Sequence, residues 1–439
     1  MKKIGILLLV TVPALLNWAA PTVLTLDKSV EQALESNLDY QISGISLQEA
    51  KRQKNSSWNN FLPQLSATSE LSGEKSLSEN TDTTWRLSAG LSLRLPLNGG
   101  LAYTIKDIKL AYENQSISYE TARLQLINEV EQAFYSLIAN QADIDIAKNN
   151  IDLAEKRYQV TLRNFNNGLA TELDTLQARV TAAQLKPAYL QAVSDYNIAL
   201  REFLDVIGLP TDTEITLEGS LDTEIHQFDS DQLIEKYLMN RRDILAQEKK
   251  IEILENQKKQ KTMTSRTPDL SLSSQWGTSV MKPFESSSWD TEKLSDTLSL
   301  GLSLSIPLDD FIPGSATDTT LKGMDDEIKS AKLTLVKNIE DARTEIINLV
   351  SKLETSAAQI ELAKLNVELT KTTYEKSEYS YNQGGMGRLD LEDTQQNYFN
   401  AKQEYLESQY NYLNGLINLR YALGLENLAE LSGSIQKKE

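Results

Sequence analysis

The sequence predicts a mixed fold of long α-helices and transmembrane β-strands, built from two copies of one unit. Three observations lead to this fold class. Short segments recur in the same order in both halves of the chain, each half contains a run of alternating apolar and polar residues, and each half contains a long proline-free stretch with helical spacing. We therefore expect four β-strands and long coiled-coil helices per chain.

The composition excludes several kinds of chemistry. The chain has 439 residues, a net charge of -18, no cysteine and one histidine, His226. Without cysteine there is no thiolate catalysis and no disulfide framework, and one histidine cannot form an imidazole metal cluster. An acidic chain is a poor match for nucleic acid, whose phosphates need concentrated lysine and arginine. We expect no metal site, no cofactor and no nucleic-acid partner.

The N-terminal residues 1–20 have the parts of a secretory signal peptide. Lys2 and Lys3 precede an apolar run over residues 4–16, and Ala19 and Ala20 offer small residues for cleavage. An anchoring helix is the alternative, although the run is short for a bilayer span. We expect export and cleavage, at a site that the sequence does not define.

Two tandem repeats account for the rest of the chain, with residues 21–227 as the first and residues 228–439 as the second. Matching positions lie 204 to 216 residues apart, and this spacing grows slowly along the chain, as small loop insertions between two copies would produce. The matching pairs are residues 63–66 (PQLS) with 268–271 (PDLS), residues 91–97 (LSLRLPL) with 302–308 (LSLSIPL), and Gly168 with Gly384.

Strict alternation predicts β-strands over residues of about 63–96 and about 268–307, each with one apolar and one small polar face. A soluble sandwich is the alternative, but strands of about 10 residues and hydroxyl-rich polar faces suit a tilted membrane strand beside a wet lumen. The residues predicted to face the membrane are Leu87, Leu91, Leu93, Leu300, Leu302 and Leu304.

Four strands are too few to close a membrane barrel, because a spanning sheet cannot leave an edge open and about eight strands is the practical minimum. Each chain must therefore contribute to a shared barrel. Two chains would supply eight strands, and side chains fill the interior of an eight-stranded barrel. Three chains would supply twelve strands, and a barrel of that size leaves an open lumen.

Long helices are predicted after each pair of strands, over residues of about 101–208 and about 321–424. Apolar residues at alternating spacings of three and four indicate coiled-coil packing, for example at Ile144, Ala147 and Ile151. Short Asn- and Gly-containing turns at residues 166–168 and 382–385 divide each stretch into two helices.

These features together resemble the TolC family of outer-membrane efflux proteins over essentially the whole mature chain. The resemblance is strongest in residues 381–384 (YNQG), 389–393 (LDLED) and 400–404 (NAKQE), with residues 158–178 as their first-repeat counterpart. It implies a homotrimer in the cell outer membrane, with one 12-stranded β-barrel in contact with lipid and an α-helical barrel that extends into the periplasm.

The resemblance also implies a function. It is that of a passive channel, gated at the periplasmic helical tip, that exports substrates from a tripartite efflux pump or a type I secretion assembly. The partners would be a periplasmic adaptor protein and, indirectly, an inner-membrane pump of the RND, ABC or MFS type. The exported substrate is not specified by the sequence.

The resemblance also implies which residues form the gate and which dock the adaptor, by their positions in the family's motifs. The gate or selectivity residues would be Asp390, Asp393, Tyr381 and its partner Asp174, and Arg388 as a substitute for the family's gate arginine, whose place Met386 occupies. Solvated surface acids are the alternative for the aspartates. The helix tips that would dock the adaptor comprise Gly168, Leu169, Ala170, Gly384, Gly385 and Gly387.

Two other function classes are weaker. A structural coiled-coil envelope protein or surface adhesin would explain the helices but not the duplicated alternating strands. A hydrolytic enzyme would need a nucleophile with a base, and His226 falls in a polar connector without a Ser-His-Asp set. We therefore expect no enzyme activity.

Overall fold

The structure, a computed structural model, describes residues 22–74, 84–283, 288–289 and 294–432. The predicted signal peptide lies outside these residues. The chain forms two compact units: the first contains residues 22–38, Leu126–Gln227 and Ser351–Asn418, and the second contains Asp39–Gln125, Phe228–Val350 and the residues from Leu419 onward. Each compact unit draws on both halves of the sequence, so the boundaries of the two sequence repeats stay a prediction.

Helices make up most of the described chain. The helices are α1 Leu26–Ser36, α2 Leu38–Asn55, α3 Leu101–Asn166, α4 Glu172–Val206, α5 Ser230–Tyr237, α6 Arg242–Arg266, α7 Ala316–Asn382, α8 Arg388–Ala422 and α9 Leu428–Ser432. The strands are β1 Thr22–Leu24, β2 Gln64–Glu74, β3 Thr84–Leu97, β4 Ile215–Leu217, β5 Asp269–Pro283 and β6 Ser295–Ser305. Among the described residues, none of the helices combines the length and apolarity of a membrane span.

One antiparallel sheet in the second unit contains the four predicted strands in the order β2-β3-β5-β6. Its register aligns Ala67, Leu91, Trp276 and Leu298 in one row across all four strands. Successive strand residues alternate between faces, so this row belongs to one apolar face. The side chains of Leu300, Leu302 and Leu304 on β6 are 64–77% exposed.

The opposite face of the sheet contains small hydroxyl groups. The Oγ atoms of Ser66 and Ser92 are 2.6 Å apart, and those of Ser271 and Ser303 are 2.7 Å apart. Such cross-strand pairs satisfy polar groups within the sheet. The alternation seen in the sequence is therefore a real division of the sheet into an apolar face and a hydroxylated face.

Pro96 and Trp276 both lie within strands of this sheet. Pro96 is inside the ladder, opposite Ser271. It is tolerated because β2 ends at Gln64, opposite Arg94, so that Pro96 has a neighbouring strand on one side only. Trp276 lies in the middle of β5, which extends from Asp269 to Pro283.

The long helices follow the predicted pattern with small shifts at their ends. Helix α3 has 66 residues and α7 has 67, and each is followed by a return helix of 35 residues. Helix α7 begins at Ala316, five residues before its predicted start. Pro187 lies inside the continuous helix α4.

The four long helices pack around a common core in the first unit. Phe134 of α3 and Phe203 of α4 are fully buried, with ring centroids 6.2 Å apart. A Cβ atom at Gly415 of α8 would lie 2.8 Å from Leu353 of α7, so glycine permits close packing there. A short parallel pair, β1 with β4, adds two strands that the alternation analysis missed, because three residues are too few to show a period.

In the second unit, α6 packs against α3 and α7 through both apolar and charged contacts. Ile244 of α6 and Ile346 of α7 are completely buried. The Nζ atom of Lys249 lies 2.9 Å from the Glu113 carboxylate of α3, and Arg241 lies 2.8 Å from the Glu345 carboxylate of α7. These contacts tie the helix that precedes β5 to the helices that follow β3 and β6.

Candidate functional site at the helix turns

The two turns that connect the long helices have nearly the same backbone geometry. Gly168 and Gly384 adopt positive φ angles of 75° and 76°, which favour glycine because a Cβ atom is strained there. The amide of Leu169 donates to the Asn164 carbonyl at 2.8 Å, and the amide of Gly385 donates to the Ser380 carbonyl at 2.9 Å. Both long helices therefore end in the same glycine-dependent cap.

The predicted docking residues lie at the surface of these turns. Leu169 is 79% exposed, although it is a large apolar side chain. Gly168 and Gly384 are open enough that an added Cβ atom would meet nothing within 4 Å. The turns thus offer the apolar side chain of Leu169 and bare backbone to any partner.

The start of α4 is fixed by a capping box. The amide of Asp174 donates to Thr171 Oγ1 at 3.1 Å, while the hydroxyl and the amide of Thr171 donate to Asp174 Oδ2 at 2.7 and 3.0 Å. These two hydrogen bonds to the carboxylate hold the pKa of Asp174 below its usual value, with a smaller contribution from the charge of Arg388. The Asp174 carboxylate therefore caps the N-terminus of its own helix, α4.

Arg388 connects the start of α8 to the start of α4. Its guanidinium donates to the main-chain carbonyl of Asp174 at 2.8 Å and to Oε1 of Gln177 at 2.7 Å. Its Nε atom lies 3.6 Å from the Glu392 carboxylate one turn along α8. Arg388 thus contacts Asp174 through the backbone carbonyl and not through the carboxylate.

Sequence reasoning missed two members of this cluster, Gln177 and Glu392. Gln177 lies one turn after Asp174, and Glu392 lies four residues after Arg388, which is the spacing of an ion pair on one helix face. That second spacing was visible in the sequence. The contact with Gln177 was not visible, because it depends on how α4 and α8 pack.

Tyr381 lies in the last turn of α7 and lines a cavity shared with Arg388. Among the described residues, no hydrogen bond joins its hydroxyl to Asp174. The expected pairing of Tyr381 with Asp174 stays a prediction.

Asp390 and Asp393 both lie exposed near the N-terminus of α8, three residues apart and thus on neighbouring positions of one helix face. A helix N-terminus stabilises negative charge, so both carboxylates are compatible with their position. In the described part of the chain neither forms an ion pair, and no cluster of three potential metal ligands occurs. Their carboxylates are available to solvent, ions or a neighbouring chain.

The fold defines a class of protein. The structure is similar to the Campylobacter jejuni CmeC outer membrane channel, with a TM-score of 0.77, 19% identity, and coverage of 93% of this chain and 88% of that chain. It is also similar to the open state of the Neisseria gonorrhoeae MtrE outer membrane channel, with a TM-score of 0.73, 18% identity, and coverage of 91% of this chain and 89% of that chain. This is the fold of an outer-membrane channel.

The chain belongs to the outer membrane efflux protein family, whose model matches residues 29–209 and 233–425, one stretch in each half. This confirms the predicted TolC family, the outer-membrane location and the general role as an efflux or secretion channel protein. A similar curated protein is the probable efflux pump outer membrane protein TtgC of Pseudomonas putida, 23% identical over 91% of this chain and 82% of its own length. Another is the alkaline protease secretion protein AprF of Pseudomonas aeruginosa, 24% identical over 70% of this chain and 63% of its own length.

Proposed function

We propose that three copies of this chain form one passive export channel, with a 12-stranded barrel in the outer membrane and a helical barrel in the periplasm. The observation that carries the proposal is the four-stranded sheet, in which, among the described residues, β2 and β6 each have a neighbouring strand on one side only. Open edges leave backbone N–H and C=O groups unpaired, which a bilayer does not tolerate. Three such sheets joined edge to edge remove every open edge and leave a lumen.

Trimer formation is the first expected result. The full chain, extracted in mild detergent, should have a protein mass of about three times the 49.2 kDa of one chain, less the signal peptides. Multi-angle light scattering with a correction for bound detergent measures this mass. A monomeric mass from protein that keeps its β-sheet signal in circular dichroism would contradict the proposal, and a dimeric mass would favour an eight-stranded barrel.

The exposed turns would dock a periplasmic adaptor, which would connect the channel to an inner-membrane pump. The support is the exposure of Leu169 beside the open glycine turns at Gly168 and Gly384. The similar proteins include one named for an efflux pump and one named for protease secretion, so both kinds of assembly suit this chain. Since the family consists of channel proteins, no enzyme activity is included in the proposal.

Asp390 and Asp393 would form rings of carboxylates around the narrow end of the channel, six in a trimer. Rings of acids attract cations and repel anions. We expect the double variant Asp390→Ala, Asp393→Ala to assemble normally but to lose about half or more of its cation preference in planar bilayers. The reversal potential in a salt gradient measures this preference.

A matched control for the double variant is Asp195→Ala in α4, which removes an exposed carboxylate far from the turns in sequence. It should leave the reversal potential unchanged. If the double variant and the control had the same conductance and selectivity as the parent protein, the two aspartates would be ordinary surface acids.

A further inference from the structure

A cavity of about 500 Å³ lies between α3, α4, α7 and α8 within the first compact unit and is partly open to solvent. Leu153, Val160, Leu185 and Leu391 give it an apolar lining. This volume and lining fall within the range of pockets that bind small molecules. The cavity borders the Arg388 cluster but extends beyond it along α3.

The charges around this cavity are divided between its walls. Helix α3 contributes the bases Lys156 and Arg157, whereas α7 and α8 contribute the acids Glu378 and Asp393. The remaining charges, Arg388 and Glu392, lie 3.6 Å apart and offset each other. Among the described residues, no ion pair within 4.0 Å joins the α3 bases to these acids, although Arg157 and Glu378 both adjoin Tyr374.

One nitrogen of the Arg157 guanidinium lacks a hydrogen-bond acceptor. Its Nη2 atom is buried without a hydrogen-bond partner, and its guanidinium lies 6.0 Å from the centre of the Tyr374 ring. Tyr374 is itself engaged, because its hydroxyl donates to Glu378 at 3.0 Å. The Arg157 side chain is half-buried as a whole, but an N–H group at the buried Nη2 atom lacks an acceptor, so an anionic group in the cavity could accept a hydrogen bond there.

We propose that this cavity binds a small amphipathic zwitterion. Its anionic group would contact Lys156 and Arg157, its cationic group would contact Glu378 and Asp393, and its apolar body would lie against the leucine lining. A simple anion would leave Glu378 and Asp393 without a cation, and a simple cation would leave the Nη2 atom of Arg157 without an acceptor. The site requires neither a trimer nor ion conduction, so it stands or falls independently of the proposed export function.

Three probes with the same fluorescent ring but different charge test this proposal. The zwitterion is Nε-dansyl-lysine, the anion is dansyl-glycine and the cation is dansylcadaverine. The full chain in lipid nanodiscs is titrated with each, and empty nanodiscs supply the blank. We expect saturable binding of the zwitterion, about tenfold tighter than either singly charged probe, since a charged hydrogen bond contributes at least that factor.

Variants locate the binding. The double variant Lys156→Gln, Arg157→Gln should weaken binding of the zwitterion about tenfold, whereas Arg157→Lys should preserve most of it because the charge remains. Asp393→Asn should weaken the zwitterion without weakening dansyl-glycine. The control Arg163→Gln lies on the same helix outside the cavity and should change nothing.

Helix content from circular dichroism confirms that each variant is folded before it is titrated. The proposal is overturned if the folded parent protein shows no saturable binding, or if all three probes bind alike. It is also overturned if the double variant binds as tightly as the Arg163→Gln control.

Discussion

Replacing Leu302 with lysine is expected to abolish nearly all assembled protein in the outer membrane. Leu302 is 71% exposed in β6, opposite Leu272 on the apolar face of the sheet. A lysine on the lipid face of a barrel costs about 2–4 kcal/mol near the bilayer midplane, and a trimer contains the change three times. The amount of heat-resistant oligomer in outer-membrane fractions, measured on gels without prior boiling, should fall at least tenfold.

The matched control is Ser303→Lys, one residue along the same strand. Ser303 lies on the opposite face, where its hydroxyl pairs with Ser271 at 2.7 Å. A lysine there would point into water in the proposed barrel, so the oligomer should form at near-normal levels. Equal loss in both variants, or no loss in either, would contradict the proposed lipid-facing side of the sheet.

Replacing Arg388 with alanine is expected to raise single-channel conductance severalfold. The guanidinium of Arg388, at the start of α8, donates hydrogen bonds to the main-chain carbonyl of Asp174 at 2.8 Å and to Oε1 of Gln177 at 2.7 Å. Hydrogen bonds of charged groups contribute about 1.5–3 kcal/mol when shielded and less when partly exposed, as here. Without these hydrogen bonds, the first turn of α8 is no longer held to the first turn of α4. Conductance in planar bilayers measures the effect, and uptake of a large antibiotic by cells provides an independent check.

Asp174→Ala distinguishes this geometry from a gate based on a carboxylate pair. The variant loses the capping bonds with Thr171 but keeps the main-chain carbonyl that accepts from Arg388. Conductance should therefore change much less than in Arg388→Ala. A second control, Arg179→Ala, removes an exposed arginine from α4 and should have no effect. An increase in Asp174→Ala as large as in Arg388→Ala would show that the carboxylate closes the gate.

Most of the secondary structure could be predicted because its signals are local and periodic. The alternation around Leu91 and Leu302 predicted two of the four sheet strands well. The proline-free stretch that begins at Leu101 predicted a long helix, and the observed helix α3 extends to Asn166. The place of Pro96 in the ladder could not be predicted in this way, because it depends on where the neighbouring strand β2 ends, which no single-strand pattern reveals.

The sequence singled out some residues of the candidate site but not the contacts between them. Motif positions singled out Asp174, Arg388 and Tyr381, and the structure brings Arg388 to Asp174. The accepting atom, the role of Gln177 and the charged cavity beside Arg157 depend on the rotation of four packed helices. A rotation of one residue moves a side chain by about 100° around a helix, so spacing in the sequence cannot specify such contacts.

The sequence by itself determined the family, the duplicated plan, the two faces of the strands and the glycine turns at Gly168 and Gly384. These properties follow from periodicity and backbone sterics, which act over a few residues. Only the tertiary structure decided the strand order β2-β3-β5-β6, the unpaired outer edges of β2 and β6, and the use of a backbone carbonyl by Arg388. The β3–β5 pairing and the contact of Arg388 with Asp174 join segments more than a hundred residues apart, so their geometry is set by packing of the chain rather than by any local pattern.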